Sequence, residues 1–315
     1  MDIYHGAREK CVERAPLGSR RGSCHQFPPP AQVQSDDLID KLINSNFPPS
    51  PDPSPFNNPI LVSFDVVSPY PNIPIPHTLQ LIRNTLSAAE IPSPVIDEFM
   101  RLLTLCITPN FGKFNDKIYT VSGNIGVFMG SPLAPLFSEI FMDNFERTIL
   151  SSSNPHTQYI HYWHRYVDDV LCMWIGQPSQ LHNFLNFLNS HHPSIKFTME
   201  IGDKQINFLD LSISLNNNKH HFDIFRKPTC TDITIHGSSY APPAHKFAAY
   251  YTMINRLLHT PLSHSAFRNE VNTIKLIAQN NQINLNIDNL LSGRNLFLAI
   301  ETLPQHSHVC KNPAN

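Results

Sequence analysis

The tetrapeptide Tyr166-Val167-Asp168-Asp169 constrains this chain more than any other feature. Two adjacent carboxylates sit between two runs of β-favouring residues, a pattern that predicts a tight β-hairpin with its acids at the tip. Two negative charges coexist in such a place when a cation neutralises them. Magnesium held by a few carboxylates plus substrate phosphates is the usual solution. The competing reading of this segment alone is a solvated acidic turn.

A second acid extends the pattern. Ile60 to Val67 is a short, almost wholly apolar run, as in a strand covered on both faces, and Asp65 interrupts it. A carboxylate inside a buried strand is costly unless paired or metal-bound. Pro69 and Pro71 end any regular ladder, so Asp65 is expected near the strand's C-terminal end. Two-metal catalysis needs carboxylates from separate backbone elements, and Asp65 and Asp168 on neighbouring antiparallel strands would supply them. The alternative for Asp65 is a salt-bridged core aspartate.

The third element is Gly126 to Phe141. Gly126 and Gly130 permit a loop whose backbone comes close to a ligand or a neighbouring strand. Ser131 can cap a helix and Pro132 can open it, with the helix reaching about Leu150. Phe137, Phe141 and Phe145 recur every four residues and read as core packing beneath a sheet.

In chain order, the aspartate strand, the Gly-x-x-x-Gly-Ser-Pro loop with its helix and the Tyr-Val-Asp-Asp hairpin resemble the palm of a reverse transcriptase. Finer text resembles the Penelope-like retroelement polymerases: Phe64-Asp65-Val66-Val67-Ser68, Tyr70, Asn72-Ile73-Pro74, Met129-Gly130-Ser131-Pro132-Leu133, Asn207-Phe208-Leu209-Asp210 and Arg226-Lys227-Pro228-Thr229-Cys230-Thr231-Asp232. The similarity continues through His245-Lys246 and Asn255-Arg256, covering about residues 57–285. The resemblance implies an α+β fold: an antiparallel palm sheet backed by helices, then a helical thumb, with the fingers largely absent. It implies three segments: a disordered, Pro-rich 1–58, a palm over 59–235, and a thumb-like region with tail over 236–315.

It also implies roles. Asp65, Asp168 and Asp169 match the metal-binding catalytic triad, which takes two Mg2+ ions, with Mn2+ as a substitute. Val66, Ser68, Tyr70, Gly130, Ser131 and Pro132 match the nucleotide-binding positions. Tyr70 is the aromatic gate expected to point into the cleft beside Asp65 and exclude a 2′-hydroxyl. Arg226, Lys227 and Lys246 match primer and template contacts; as bare charges, the first two read equally well as solvated strand ends. The implied partners are an RNA template, a DNA primer and a deoxynucleoside triphosphate. The implied reaction is attack of a primer 3′-hydroxyl on the α-phosphate, with one metal activating the hydroxyl and the other clamping the leaving pyrophosphate.

The departures point the other way. Pro69 and Pro71 replace the usual leucine and threonine, and Phe128 and Gly123 stand where a small residue and a glutamine are common. No fingers segment with its basic residues is recognisable before Asp65, and no Gly-Ile-Tyr…Tyr-Ile-Gly nuclease pair follows residue 285. Lys+Arg is 23 against Asp+Glu 25, a net charge of −2, where a template-gripping polymerase shows a basic surplus. The expectation is weak, salt-sensitive nucleic-acid binding and little primer extension by the chain alone.

Six cysteines without a Cys-x-x-Cys pair, no signal peptide and no apolar run of membrane-spanning length predict an intracellular protein with no membrane partner, and beside the retroelement resemblance the nucleus is the expected compartment. His156, His161 and His164 have a spacing that invites zinc, but no cysteine lies nearby. Helices are expected near 36–44, 76–89, 93–106 and after Pro178, and hairpins over 111–121 and around 216–218, with Ile206–Leu215 as one strand. Three readings compete: an active RNA-directed DNA polymerase, an inactive remnant that binds nucleic acid or protein, and a nucleotide cyclase with a palm-like sheet. The expected hairpin and thumb weigh against the cyclase.

Overall fold

The computed structural model describes residues 35–45, 59–107, 111–120, 126–151, 153–202, 205–216, 219–287 and 289–291. The expectations for most of 1–58, and for Gly123, lie outside these residues. The chain is α+β, and its elements follow the hydrophobic periodicities closely. Helix α1 (Ser35–Ile43) precedes strand β1 (Ile60–Val66), a single turn α2 (Pro69–Asn72), and helices α3 (Ile75–Ala88) and α4 (Ser93–Ile107). The small ribbon β2–β3 (Phe111–Phe114, Lys117–Thr120) leads towards α5 (Ala134–Ile149). Next come the hairpin β4–β5 (Ile160–Tyr166, Asp169–Trp174), α6 (Pro178–His191) and β6 (Phe197–Gly202). The series ends with β7 (Gln205–Phe208), β8 (Leu211–Asn216), β9 (Lys219–Ile224), α7 (Pro243–His259) and α8 (His264–Asn280).

The central sheet runs β4-β5-β1-β6, every neighbour antiparallel. Its two faces carry different loads. Val62, Phe64, Val66, Trp163, Val170, Cys172 and Trp174 pack against Phe137, Phe141 and Phe145 of α5 and Phe184 of α6. The phenylalanine stripe of α5 is therefore core, as its spacing requires. On the other face Leu61, Tyr162, Leu171 and Met173 lie under α1 and the β7-β8-β9 sheet, through Leu38, Leu42, Phe208, Ile213 and Phe222. A third cluster, Tyr250, Ile254, Leu257, Ile274 and Ile277, joins α7 to α8.

Two local expectations are corrected. The helix after the glycine loop begins at Ala134, with Pro135 in its first turn, and Ser131–Leu133 forms a preceding turn in which Ala134 N donates to Ser131 O. Proline lacks only a donor the first turn does not use, so either proline was compatible with a start. Residues 206–215 are two strands, not one: Leu209, at φ 54°, turns the chain between β7 and β8. Among the described residues no helix is long and apolar enough to cross a membrane.

Candidate active site

The second face of the sheet is covered only over part of its length. Along β1, Leu61 is buried under the second cluster, whereas Asp65, four residues on and on the same face, is exposed. The strand is thus not roofed on both sides throughout, and Asp65 needs no salt bridge to tolerate its position. Its direct partner in the antiparallel register is Asp169, the first residue of β5. Cross-strand partners project from one face, so the two carboxylates share the open end of the sheet.

Asp168 lies in the two-residue turn between Tyr166 and Asp169, the last cross-strand pair of β4 and β5. Val167, the first turn residue, has φ 55°, as tight hairpin turns demand but a β-branched residue resists. The turn is tied to β1, where Val66 N donates to Asp168 O at 3.0 Å. The electrostatics record the crowding. Although Asp65 is exposed, the partial loss of water around its carboxyl, then the charge of Asp168, raises it above the ordinary carboxylate value. Burial, then Asp168 and Asp65, does the same to Asp169, and Lys227 pulls it partly back.

Three hard oxygen donors from two elements have the chemistry for magnesium. Among the described residues no three His, Cys, Asp or Glu side chains stand together closely enough to hold a metal ion, this triad and His156, His161 and His164 included. The three histidines make ring contacts instead, His156 with Phe184 and Phe187, His161 and His164 with Tyr162.

The glycine loop is stitched to α2, directly after Asp65 in the chain. Gly126 N donates to Ile73 O and Val127 N to Tyr70 O. A Cβ on Gly126 would meet Pro71 O at 2.5 Å, so only glycine allows this approach. Gly130, at φ +93°, has open space around it and is needed for its backbone conformation alone. Gly130 and Pro132 are exposed and Ser131 half-buried, its hydroxyl accepting from Leu133 N. Ser68 is exposed at φ 47°, and Asn72 Nδ2 donates to its carbonyl at 3.0 Å.

Several expected site residues stand differently from expectation. The Val66 side chain is buried in the main core, opposite the acids, so only its backbone faces the turn. Tyr70 is half-buried, one part of it packing against the same core. Arg226 donates to Glu270 of α8 at 2.7 Å, with Arg256 3.9 Å from the same carboxylate. Lys246 donates to Gly237 O at 2.7 Å. Arg226 is thus engaged by α8 and Lys246 by the loop before α7, while Lys227 is exposed and acts on Asp169.

A cluster behind the hairpin was not anticipated. Arg165, buried between β4 and α5, donates to Glu139 Oε2 at 2.9 Å and Oε1 at 3.1 Å, and to Val167 O at 3.2 Å. Its Nε lies 2.9 Å from Glu146 Oε1, an ion pair whose angle falls short of a hydrogen bond. Trp163 Nε1 donates to that same oxygen at 2.8 Å. Burial pushes Glu146 up to about 6 against the pull of Arg165 and of the Trp163 hydrogen bond, and its Oε2 has no hydrogen-bond partner. Burial would lower Arg165, but the two carboxylates outweigh it and hold the guanidinium charged. The signal was present: Glu139 and Glu146 are two turns apart and so lie on one side of α5.

No protein-family model matches the sequence, and no curated protein resembles it closely enough to count. Solved structures do match. Telomerase from Candida albicans, solved with a TWJ fragment of telomeric RNA, superposes with a TM-score of 0.54 at 14% identity, over 79% of this chain and 43% of that one. Telomerase from Candida tropicalis gives 0.44 at 14% identity, covering 81% and 43%. The Sicinivirus 3Dpol RNA-dependent RNA polymerase gives 0.44 at 15%, covering 78% and 52%. The chain spans about half or less of the length of these proteins, and the first superposition is the one that bears on architecture. Antiparallel sheet, backing helices and that superposition together show a reverse-transcriptase-like fold.

Proposed function

We propose that this chain carries the palm and thumb of an RNA-directed DNA polymerase of the Penelope-like retroelement type, transferring deoxynucleotides to a primer 3′-hydroxyl. The single observation that carries the reading is the register pair Asp65–Asp169 beside the Asp168 turn, three carboxylates on the open end of a polymerase-type sheet. Held by Asp65, Asp168 and Asp169, two Mg2+ ions would lower the pKa of the attacking hydroxyl and screen the leaving pyrophosphate.

The chain's own residues supply position. Val66 N fixes the Asp168 turn against β1, and the Gly126–Pro132 loop, bonded to the Tyr70 and Ile73 carbonyls, is the proposed wall of the nucleotide site. Ser68 and Ser131 offer hydroxyls at that wall. Tyr70, braced by the core, acts as the gate through its exposed part; bracing suits a steric filter, since a gate that yields cannot exclude an oxygen. Lys227 is the cation best placed to meet substrate phosphate near Asp169. RNA template, DNA primer and deoxynucleoside triphosphate are the proposed partners, and the nucleus the proposed compartment.

The test is primer extension on an RNA template with Mg2+ or Mn2+, comparing the chain with an Asp168→Ala, Asp169→Ala double variant. Aspartate-dependent synthesis supports an active enzyme. Folded protein with no synthesis supports the second reading, an inactive remnant, which the near-neutral charge of −2 and the engagement of Arg226 and Lys246 favour.

A further inference from the structure

We infer that Arg165 is a positioning residue for the acid pair: from the core side of the sheet it holds the Val167–Asp168 turn, so that α5 sets where Asp168 and Asp169 stand. For its catalytic meaning this rests on the reading just proposed, but the placement of the turn is measurable without activity.

Arg165 is on the face of β4 opposite the carboxylates, among the residues packed on α5. Its guanidinium makes four contacts in fixed directions, two to Glu139, one to Glu146 and one to Val167 O. The last is its one bond to backbone, and it falls on the residue held at φ 55°. A β-branched residue in that region persists only when its surroundings over-determine it. Val167 O is held from behind by Arg165, and the next carbonyl, Asp168 O, is held from the side by Val66 N. The tip is thus clamped at two consecutive peptide units, one to α5 and one to β1.

Stability alone is a poor account of the arrangement. A buried ion cluster contributes little compared with apolar residues of the same volume. A planar fork, however, reaches a carboxylate pair and a carbonyl at once, which an ammonium does not.

The experiment uses the full chain and NMR-detected hydrogen exchange of the Val66 amide, together with Mn2+ affinity from the spectrum of free Mn2+. Arg165→Lys is expected to keep wild-type protection along the rest of β1 and β5, to speed Val66 exchange at least tenfold, and to weaken Mn2+ about tenfold. Glu146→Gln, which leaves the Val167 contact in place, is expected to shift global stability without a local excess at Val66. If Arg165→Lys fails to fold, Glu139→Gln takes its place: it loosens the fork from a half-exposed position and must also speed Val66. Uniform loss of protection with no excess at Val66, in whichever variant folds, overturns the inference and leaves Arg165 a structural residue. Local acceleration in a protein that binds no Mn2+ even as wild type upholds the clamp and overturns the polymerase reading instead.

Discussion

Asp65 and Asp169 are direct partners across β1 and β5, so two carboxylates project from one face of the sheet with Asp168 beside them. Like charges placed directly opposite destabilise a strand pair by about 0.2–1 kcal/mol. Both acids are raised in pKa, so the fold without ions is favoured when they are protonated and loses that advantage as pH rises above the ordinary carboxylate value. Asp169→Asn is therefore expected to raise the Tm of the ion-free protein by about 1–3 °C at pH 7. Saturating Mn2+ is expected to raise the wild-type Tm by about 5 °C or more and to do little for Asp169→Asn. Equal ion responses from both proteins in thermal unfolding would sink the shared-cation site.

Tyr70 is half-buried against the core and is the proposed gate, so its loss has two readouts. Tyr70→Ala is expected to cost about 1–3 kcal/mol in denaturant unfolding, below the figure of about 3–5 for a fully buried aromatic. In a protein competent for synthesis, the same variant is expected to incorporate more ribonucleotide. An unchanged sugar preference in single-nucleotide extension removes the gate role and leaves Tyr70 a packing residue.

His220 links three elements. Its Nδ1 lies 3.0 Å from Leu42 O and its Nε2 3.0 Å from Tyr162 Oη. A carbonyl only accepts, so Nδ1 carries the proton and Nε2 accepts from the tyrosine. Burial is the main cause that lowers this histidine to about 4, from an ordinary 6.5. The unfolded chain then binds the extra proton first, so the contribution is intact above pH 6.5 and declines as pH falls towards 4. The expected result is a lower urea midpoint at pH 5 than at pH 7, with a smaller difference for His220→Gln. A variant with the same pH slope as wild type would assign the dependence to other groups.

Glu270 collects Arg226 at 2.7 Å and Arg256 at 3.9 Å, and Arg256 also reaches Asp210 of the β7–β8 turn at 3.2 Å. Glu270→Gln leaves two guanidinium groups without their shared carboxylate. Breaking a fully buried pair costs about 3–5 kcal/mol; with these arginine side chains 22% and 27% exposed, about 1–3 is expected. The loss should first appear as faster hydrogen exchange in α7 and α8, ahead of the central sheet. Matched acceleration in β1 and β5 would show that the two regions unfold as one unit.

What could be read from the sequence was whatever depends on near neighbours in the chain. Four-residue phenylalanine spacing makes α5 a core helix wherever it packs, and short apolar runs make β1 and β5 strands, but that Asp169 rather than Asp168 faces Asp65 follows only from the pairing of the two strands. A one-residue slip would have put the acids in the core, so burial of the opposite face fixed their register. The break at Leu209 was hidden because an apolar residue in a turn looks like a strand residue until its φ is known. Contacts between distant segments were decided by tertiary structure alone. Arg226 and Lys227 are adjacent and alike in sequence, yet one is turned into Glu270, 44 residues away, and the other towards Asp169. Arg165 looks like a surface charge beside a hydrophobic run, and only packing against Glu139 and Glu146 makes it the buried support of the Asp168 turn. Periodicity tells which face a side chain leaves from; the charge it meets there depends on how helices and strands close around it, and no local pattern encodes that.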